Sequence, residues 1–193
     1  MTFADRSLGQ RCRQAGVGLA DDEVELAPVD PTWMTIAGTV AQYLRDELPG
    51  ARVAHVGSTA VPGCVAKPLL DLSVGLATDQ VLHTDAVSRL GLVFRSVNPE
   101  SVLFAIYRDD GPRVVNVHVR RRGDRFERWD LLWRDFLRAH AMTRDDYVQF
   151  KRRAMAETEG RVSYSRSKGE FIGRLHPRVE EWAATNGWAP AEG

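Results

Sequence analysis

The sequence has no excess of either charge: 26 basic residues stand against 26 acidic ones in 193. A general nucleic-acid binder is usually clearly basic, so this balance gives no support for a nucleic-acid partner. No apolar run is long enough to span a membrane. The stretch "MTFADRSLGQRCRQ" lacks the apolar core of a secretion signal. Cysteine is scarce, and Cys12 and Cys64 fit neither a disulfide framework nor a zinc-ligand spacing. These absences predict a cytoplasmic protein with two reduced thiols. What is present is ordinary for a globular chain: 44% hydrophobic and 27% charged residues, with length for one substantial domain.

Residues 1–23 read as a polar N-terminal extension, partly disordered, with one short helix. "VELAPVDPTW" reads as a short strand and turn. Asp30 can cap a helix with Pro31 at its first position. That helix runs to about Leu48, with Trp33, Ile36, Val40, Tyr43 and Leu44 near helical spacing. "RVAHV" and "LLDLSVGL" read as strands, and residues 79–90 as a helix. "VFRS", "SVLFAIYR" and "RVVNVHVR" are three more strands, the last two joined by the hairpin signal "DDGP". From Glu127 onward the pattern predicts three helices. Trp129, Leu132, Trp133 and Phe136 form an apolar stripe on the first. The second starts with Thr143 as cap and Asp146 in its first turn. The third covers about Ser163 to Ala184, bent or broken near Pro177. This order predicts an α+β fold: a mixed β-sheet with flanking helices and a C-terminal helical part. The expected domain is 24–188, with a sheet core at 24–125 and a helical part at 126–188.

A period of two puts Asp71 and Ser73 on one face of "LLDLSVGL", and Asn116, His118 and Arg120 on one face of "RVVNVHVR". Neighbouring strands of this kind build a polar shelf over an apolar layer. A carboxylate there needs a partner or a metal. A salt bridge from Asp71 to Arg113 or Arg120 is one reading, and a site is the other. Ahead of Asp71, Gly57 lets the backbone approach a ligand. Ser58 and Thr59 can bond a phosphate or simply cap a turn.

A Gly-Ser turn after one strand and a carboxylate in the next resembles the polymerase-β-type nucleotidyltransferase superfamily. The longer stretch "HVGSTAVPGCVAKPLLDLSVGL" resembles the GrpB family. "VELAPVDPTW", "NVHV", "WRDFLRAH", "DDYVQFKRRAMA" and "YSRSKGEFIGRL" extend that resemblance over about Val24 to Trp188. It implies a nucleotidyltransferase-like fold and a nucleotide site. Gly57 and Ser58 match the phosphate turn, and Asp71 matches the first metal carboxylate. Two acids of the superfamily have no counterpart. Ser73 stands at the second, and the third strand offers Asn116 and His118. His118 remains a candidate metal ligand beside Asp71.

The pairs Tyr147/Lys151 and Tyr164/Lys168 each share a helix face, and Asp130, Arg134 and Arg138 follow the same spacing. They read either as solvated faces or as groups that meet a phosphate held at Gly57-Ser58. In the second reading Lys67, Lys151, Lys168 and Arg134 neutralise charge, and Tyr147 and Tyr164 bond phosphate or pack on a base. The basic run "HVRRRGDRFER" reads as a polar strand exit. The resemblance and these residues lead to a nucleotidyltransferase. Ser58 and Asp71 would be catalytic. Gly57, Ser58, Thr59 and the basic set would hold an NTP, and Asp71 and His118 would hold Mg2+ or Mn2+. The second partner is a small acceptor. The alternative is a non-catalytic nucleotide or phosphometabolite-binding protein on the same scaffold. The sequence carries no signal of oligomeric state.

Overall fold

The computed structural model describes residues 6–21, 23, 25–98, 101–157 and 160–191. Val24, which opens the first expected strand, lies outside them. Its centre is a five-stranded mixed sheet. The strands are β2 (Arg52–Val56), β4 (Leu70–Leu76), β5 (Val93–Asn98), β6 (Ser101–Tyr107) and β7 (Arg113–Arg121), in the order β2-β4-β7-β6-β5. All neighbours run antiparallel except β4 and β7, which pair in parallel. A separate antiparallel pair joins β1 (Ala27–Pro28) to β3 (Val65–Ala66).

One sheet face is the main core. Leu70, Leu72 and Val74 of β4 meet Val115, Val117 and Val119 of β7 there. Helix α2 (Pro31–Glu47) closes it with Trp33, Ile36, Ala37, Val40, Ala41 and Leu44, one helical stripe. Asp30 caps α2 as the sequence predicts, accepting from the Thr32 amide at 2.7 Å. The N-terminal segment joins the same core. Helix α1 (Arg6–Gln14) buries Leu8 and Cys12, and the Trp33 indole donates to the Ala15 carbonyl at 2.8 Å. Helix α3 (Thr84–Arg89) is shorter than the expected 79–90. Arg121 donates to the carbonyls of Ala77, Thr78 and Gln80 and holds that stretch as a loop.

The other sheet face meets the helical part. Helices α4 (Arg125–Ala139), α5 (Ala141–Glu157) and α6 (Gly160–Thr185) pack a second core around Leu132, Trp133, Phe136, Tyr147 and Val179. Asp124 caps α4 through the Phe126 and Glu127 amides. Two helix expectations need correction. Only His140 separates α4 from α5, so Thr143 lies inside the helix and is buried, not capping. Pro177 does not break α6, because Val179 and Ala183 beyond it are held in the second core. Arg128 also clasps Glu180 with two hydrogen bonds of 2.7 and 2.8 Å.

Candidate functional site

The parallel register of β4 and β7 sets Asp71 beside Asn116, Ser73 beside His118 and Gly75 beside Arg120. This is the polar shelf that the alternation predicts. The Asn116 amide donates to Asp71 Oδ1 at 2.8 Å, and His118 Nε2 lies 3.3 Å from the same oxygen. The salt-bridge reading of Asp71 does not hold, because both arginines have other carboxylates. Arg113 lies 3.4 Å from Asp21, and Arg120 is paired with Asp130. Burial pushes the Asp71 carboxyl up, but His118, Asn116 and Lys168 together hold it below its ordinary value. Asp71 is therefore a carboxylate at neutral pH.

Gly57 sits between β2 and a single short turn of helix at Ser58–Ala60. Its φ is +70°, and a Cβ there would come 2.8 Å from Asp71 Oδ2. Both facts demand glycine. The turn is gripped from behind. Arg134 donates to the His55 carbonyl at 3.0 Å, and Arg138 to the Ala60 carbonyl at 2.7 and 3.0 Å. His55 Nε2 lies 2.8 Å from Thr59 Oγ1. Burial lowers the His55 pKa to about 4, so its ring is neutral near pH 7.

From the helical side, Lys151 donates to Ser58 Oγ at 3.0 Å and to the Val65 carbonyl. Its ammonium also lies 4.3 Å from the centre of the Tyr147 ring. Burial lowers its pKa to about 8. Lys168 is influenced by Tyr147 first, then by Asp71 and Tyr164, and these raise its pKa against the opposing effect of burial. Lys67 lies 5.0 Å over the Tyr164 ring.

These groups surround one cleft of about 600 Å³. Gly57, Ser58, Thr59, Lys67, Asp71, His118, Tyr147, Lys151, Tyr164 and Lys168 all line it. Arg134 is the exception among the expected residues. Its guanidinium faces the turn's rear and Asp135, where it positions backbone. Helical spacing groups residues on one face but does not say which face meets the sheet. That is also why the spacing that groups Asp130 with Arg134 does not say that Asp130 is the one that lines the cleft. Asp130 lines the cleft, is paired with Arg120, and is pushed up in pKa mainly by burial. Trp129 and His176, stacked 4.3 Å apart at ring centres, add an aromatic wall.

The donors do not fit a two-metal cage. Asp71 is the one acid on the strand pair, and its Oδ1 accepts from Asn116. Ser73, at the place of a second acid, is buried with its hydroxyl unpartnered among the described residues. Asp130 is neutralised by Arg120. Among the described residues no three His, Cys, Asp or Glu side chains could hold a metal ion together. No described helix is long and apolar enough to cross a membrane.

Comparison with known proteins gives this arrangement its relatives. A UPF0157 protein of Pseudomonas aeruginosa is 33% identical over 89% of this chain and 72% of its own length. A dephospho-CoA kinase of Mycolicibacterium paratuberculosis is 28% identical over 89% of this chain and 50% of its own. The crystal structure of conserved protein GrpB from Enterococcus faecalis superposes with a TM-score of 0.68 at 22% identity. It covers 82% of this chain and 99% of that one, and shares the fold. The GrpB protein family model matches residues 23–178, and the chain belongs to the GrpB family.

Proposed function

We propose that the cleft binds a nucleoside triphosphate, with its phosphates at the Gly57-Ser58 turn. One observation carries this reading. The turn, the Asp71 shelf and lysines from three separate elements converge on one cleft large enough for a small molecule. Neither the Ser58 nor the Thr59 amide makes a backbone hydrogen bond among the described residues, so both can face an anion. The aromatic wall of Trp129 and His176 offers a planar surface to a base.

The finer reading is a nucleotidyltransferase that moves a nucleotidyl group to a small acceptor. The ionised state of Asp71 favours it, since a carboxylate is the acid such chemistry uses. The lack of a two-metal donor set among the described residues favours binding without that route. Thermal unfolding with each of the four NTPs and dephospho-CoA tests the binding. The last joins the panel because a dephospho-CoA kinase is among the relatives. A ligand at 100 times its Kd stabilises the fold by about 2.7 kcal/mol. No stabilisation by any of the five removes the nucleotide reading. Pyrophosphate release with an acceptor library and Mg2+ or Mn2+ separates transfer from binding.

A further inference from the structure

Basic side chains in this protein are almost all arginine. Of the 26, only Lys67, Lys151 and Lys168 are lysine. All three line the cleft, and they reach it from the β3–β4 loop, α5 and α6. An ammonium is a compact point charge, whereas a guanidinium is a wide planar fork. The cleft therefore takes all of the chain's lysine ammonium groups. The cleft's arginines are engaged elsewhere: Arg120 with Asp130, and Arg113 beside Asp21.

Asp71 is built as a counter-ion. Asn116 donates to its Oδ1, His118 Nε2 lies 3.3 Å from the same oxygen, and among the described residues no three His, Cys, Asp or Glu side chains stand together to share a metal ion with it. Lys168 lies within electrostatic reach of Asp71 and Asp130, and stays charged. Lys151 stands behind the turn and bonds Ser58 Oγ.

We infer that this cleft neutralises the phosphates of its ligand with the ammonium groups of Lys67 and Lys168, in place of a divalent metal. The inference rests on the reading of the cleft as a nucleotide site. In it, Asp71 accepts from Asn116 beside His118 and does not hold the cations in place, and Lys151 positions the turn. Free triphosphate carries more negative charge than its magnesium chelate, so it is the better ligand. Loss of the Asp71 charge with retention of its shape removes a repulsion and leaves the cations in place.

Calorimetric titration of the full chain with ATP tests this, first in EDTA and then in MgCl2. ATP is expected to bind in EDTA at least as tightly as in magnesium. Lys168→Met weakens that binding about tenfold or more, as truncation of a charge partner does. Lys168→Arg keeps the charge and recovers part of the loss, which guards against a folding defect in the first variant. Asp71→Asn binds ATP in EDTA as tightly as the parent or more tightly. Inorganic tripolyphosphate displaces ATP. Binding that appears only with Mg2+ or Mn2+ and disappears in Asp71→Asn overturns the inference and leaves the nucleotide site standing. ATP that tripolyphosphate cannot displace overturns it too, since the phosphates then carry no affinity. Heat in neither buffer removes the nucleotide site and the inference together.

Discussion

On β4, Leu70, Leu72, Val74 and Leu76 turn to the core, while Asp71, Ser73 and Gly75 turn to the opposite face, where Asp71 lines the cleft. The two faces are closed in different ways. The core face is covered by α2, which precedes β2 and packs by a single apolar stripe. The cleft face is closed by α4, α5 and α6, whose side chains reach it from far along the sequence, as Lys151 does to Ser58 across 93 residues. Apolar contact holds one face and specific polar pairs organise the other. Paired substitutions on neighbouring β4 residues should therefore behave differently.

The largest effect is expected on the core face. Leu72 is fully buried between β2 and β7. Leu72→Ala should cost about 2–5 kcal/mol, from lost burial and the cavity left behind. Urea unfolding reads this as a lower midpoint with unchanged slope. A loss under about 1 kcal/mol would mean the two faces are not so different, because the core could then collapse around the gap.

Next comes a pH effect at the edge of the cleft. The His55 ring has an ordinary pKa of 6.5, lowered to about 4 by burial. The unfolded chain takes up a proton near 6.5, and the folded one does so only near 4. This contribution is present above 6.5 and is lost as the pH falls from there to about 4, by about 3 kcal/mol. Stability measured at several pH values should show that slope, and His55→Gln should flatten it. An equal slope in the variant places the proton elsewhere.

The same contrast shows how much could be read from sequence. The alternation of β4 and β7 was legible because period two is local, and it put Asp71, Asn116 and His118 on one face correctly. The Gly57-Ser58 turn was legible because φ above zero calls for glycine. The pairs Tyr147/Lys151 and Tyr164/Lys168 were legible as pairs. Helical spacing groups Arg134 with the cleft set, yet it holds the His55 carbonyl, and Asp130 takes the cleft position. That choice depends on how α4 is rotated against the sheet, which is set by packing of Leu132, Trp133 and Phe136. The start of α5 was misplaced for a related reason. One residue, His140, links two helices, so no run of turn residues marks the break. The concentration of lysine at three positions in an arginine-rich chain is a further sequence signal of the cleft.

A smaller effect is expected at Gly75, on the cleft side of the strand. A Cβ there would sit 2.0 Å from Glu127 Oε1. Glu127 is buried, bonded to the Gly123 amide and 3.4 Å from Arg52. Gly75→Ala must displace that carboxylate or the strand, at about 1–3 kcal/mol. Because Glu127 belongs to α4, the substitution should loosen the junction of sheet and helices more than the core. Hydrogen exchange is expected to rise in α4 and remain slow in α2. Equal acceleration in both would show that the two layers unfold as one.

The smallest effect is expected at Ser73, next to Leu72. Its hydroxyl is buried and has no partner among the described residues, so its desolvation is not offset. Ser73→Ala removes that penalty and one small polar atom. The change should lie between neutral and about 1 kcal/mol of stabilisation. Set beside Leu72→Ala, this separates the two faces by adjacent residues of one strand. It also bears on the proposed ATP site, since Ser73 shares the β4 face with Asp71. If its hydroxyl served a bound cation, Ser73→Ala would weaken ATP binding in magnesium and leave it intact in EDTA. With ammonium groups neutralising the phosphates, ATP affinity is unchanged in both buffers.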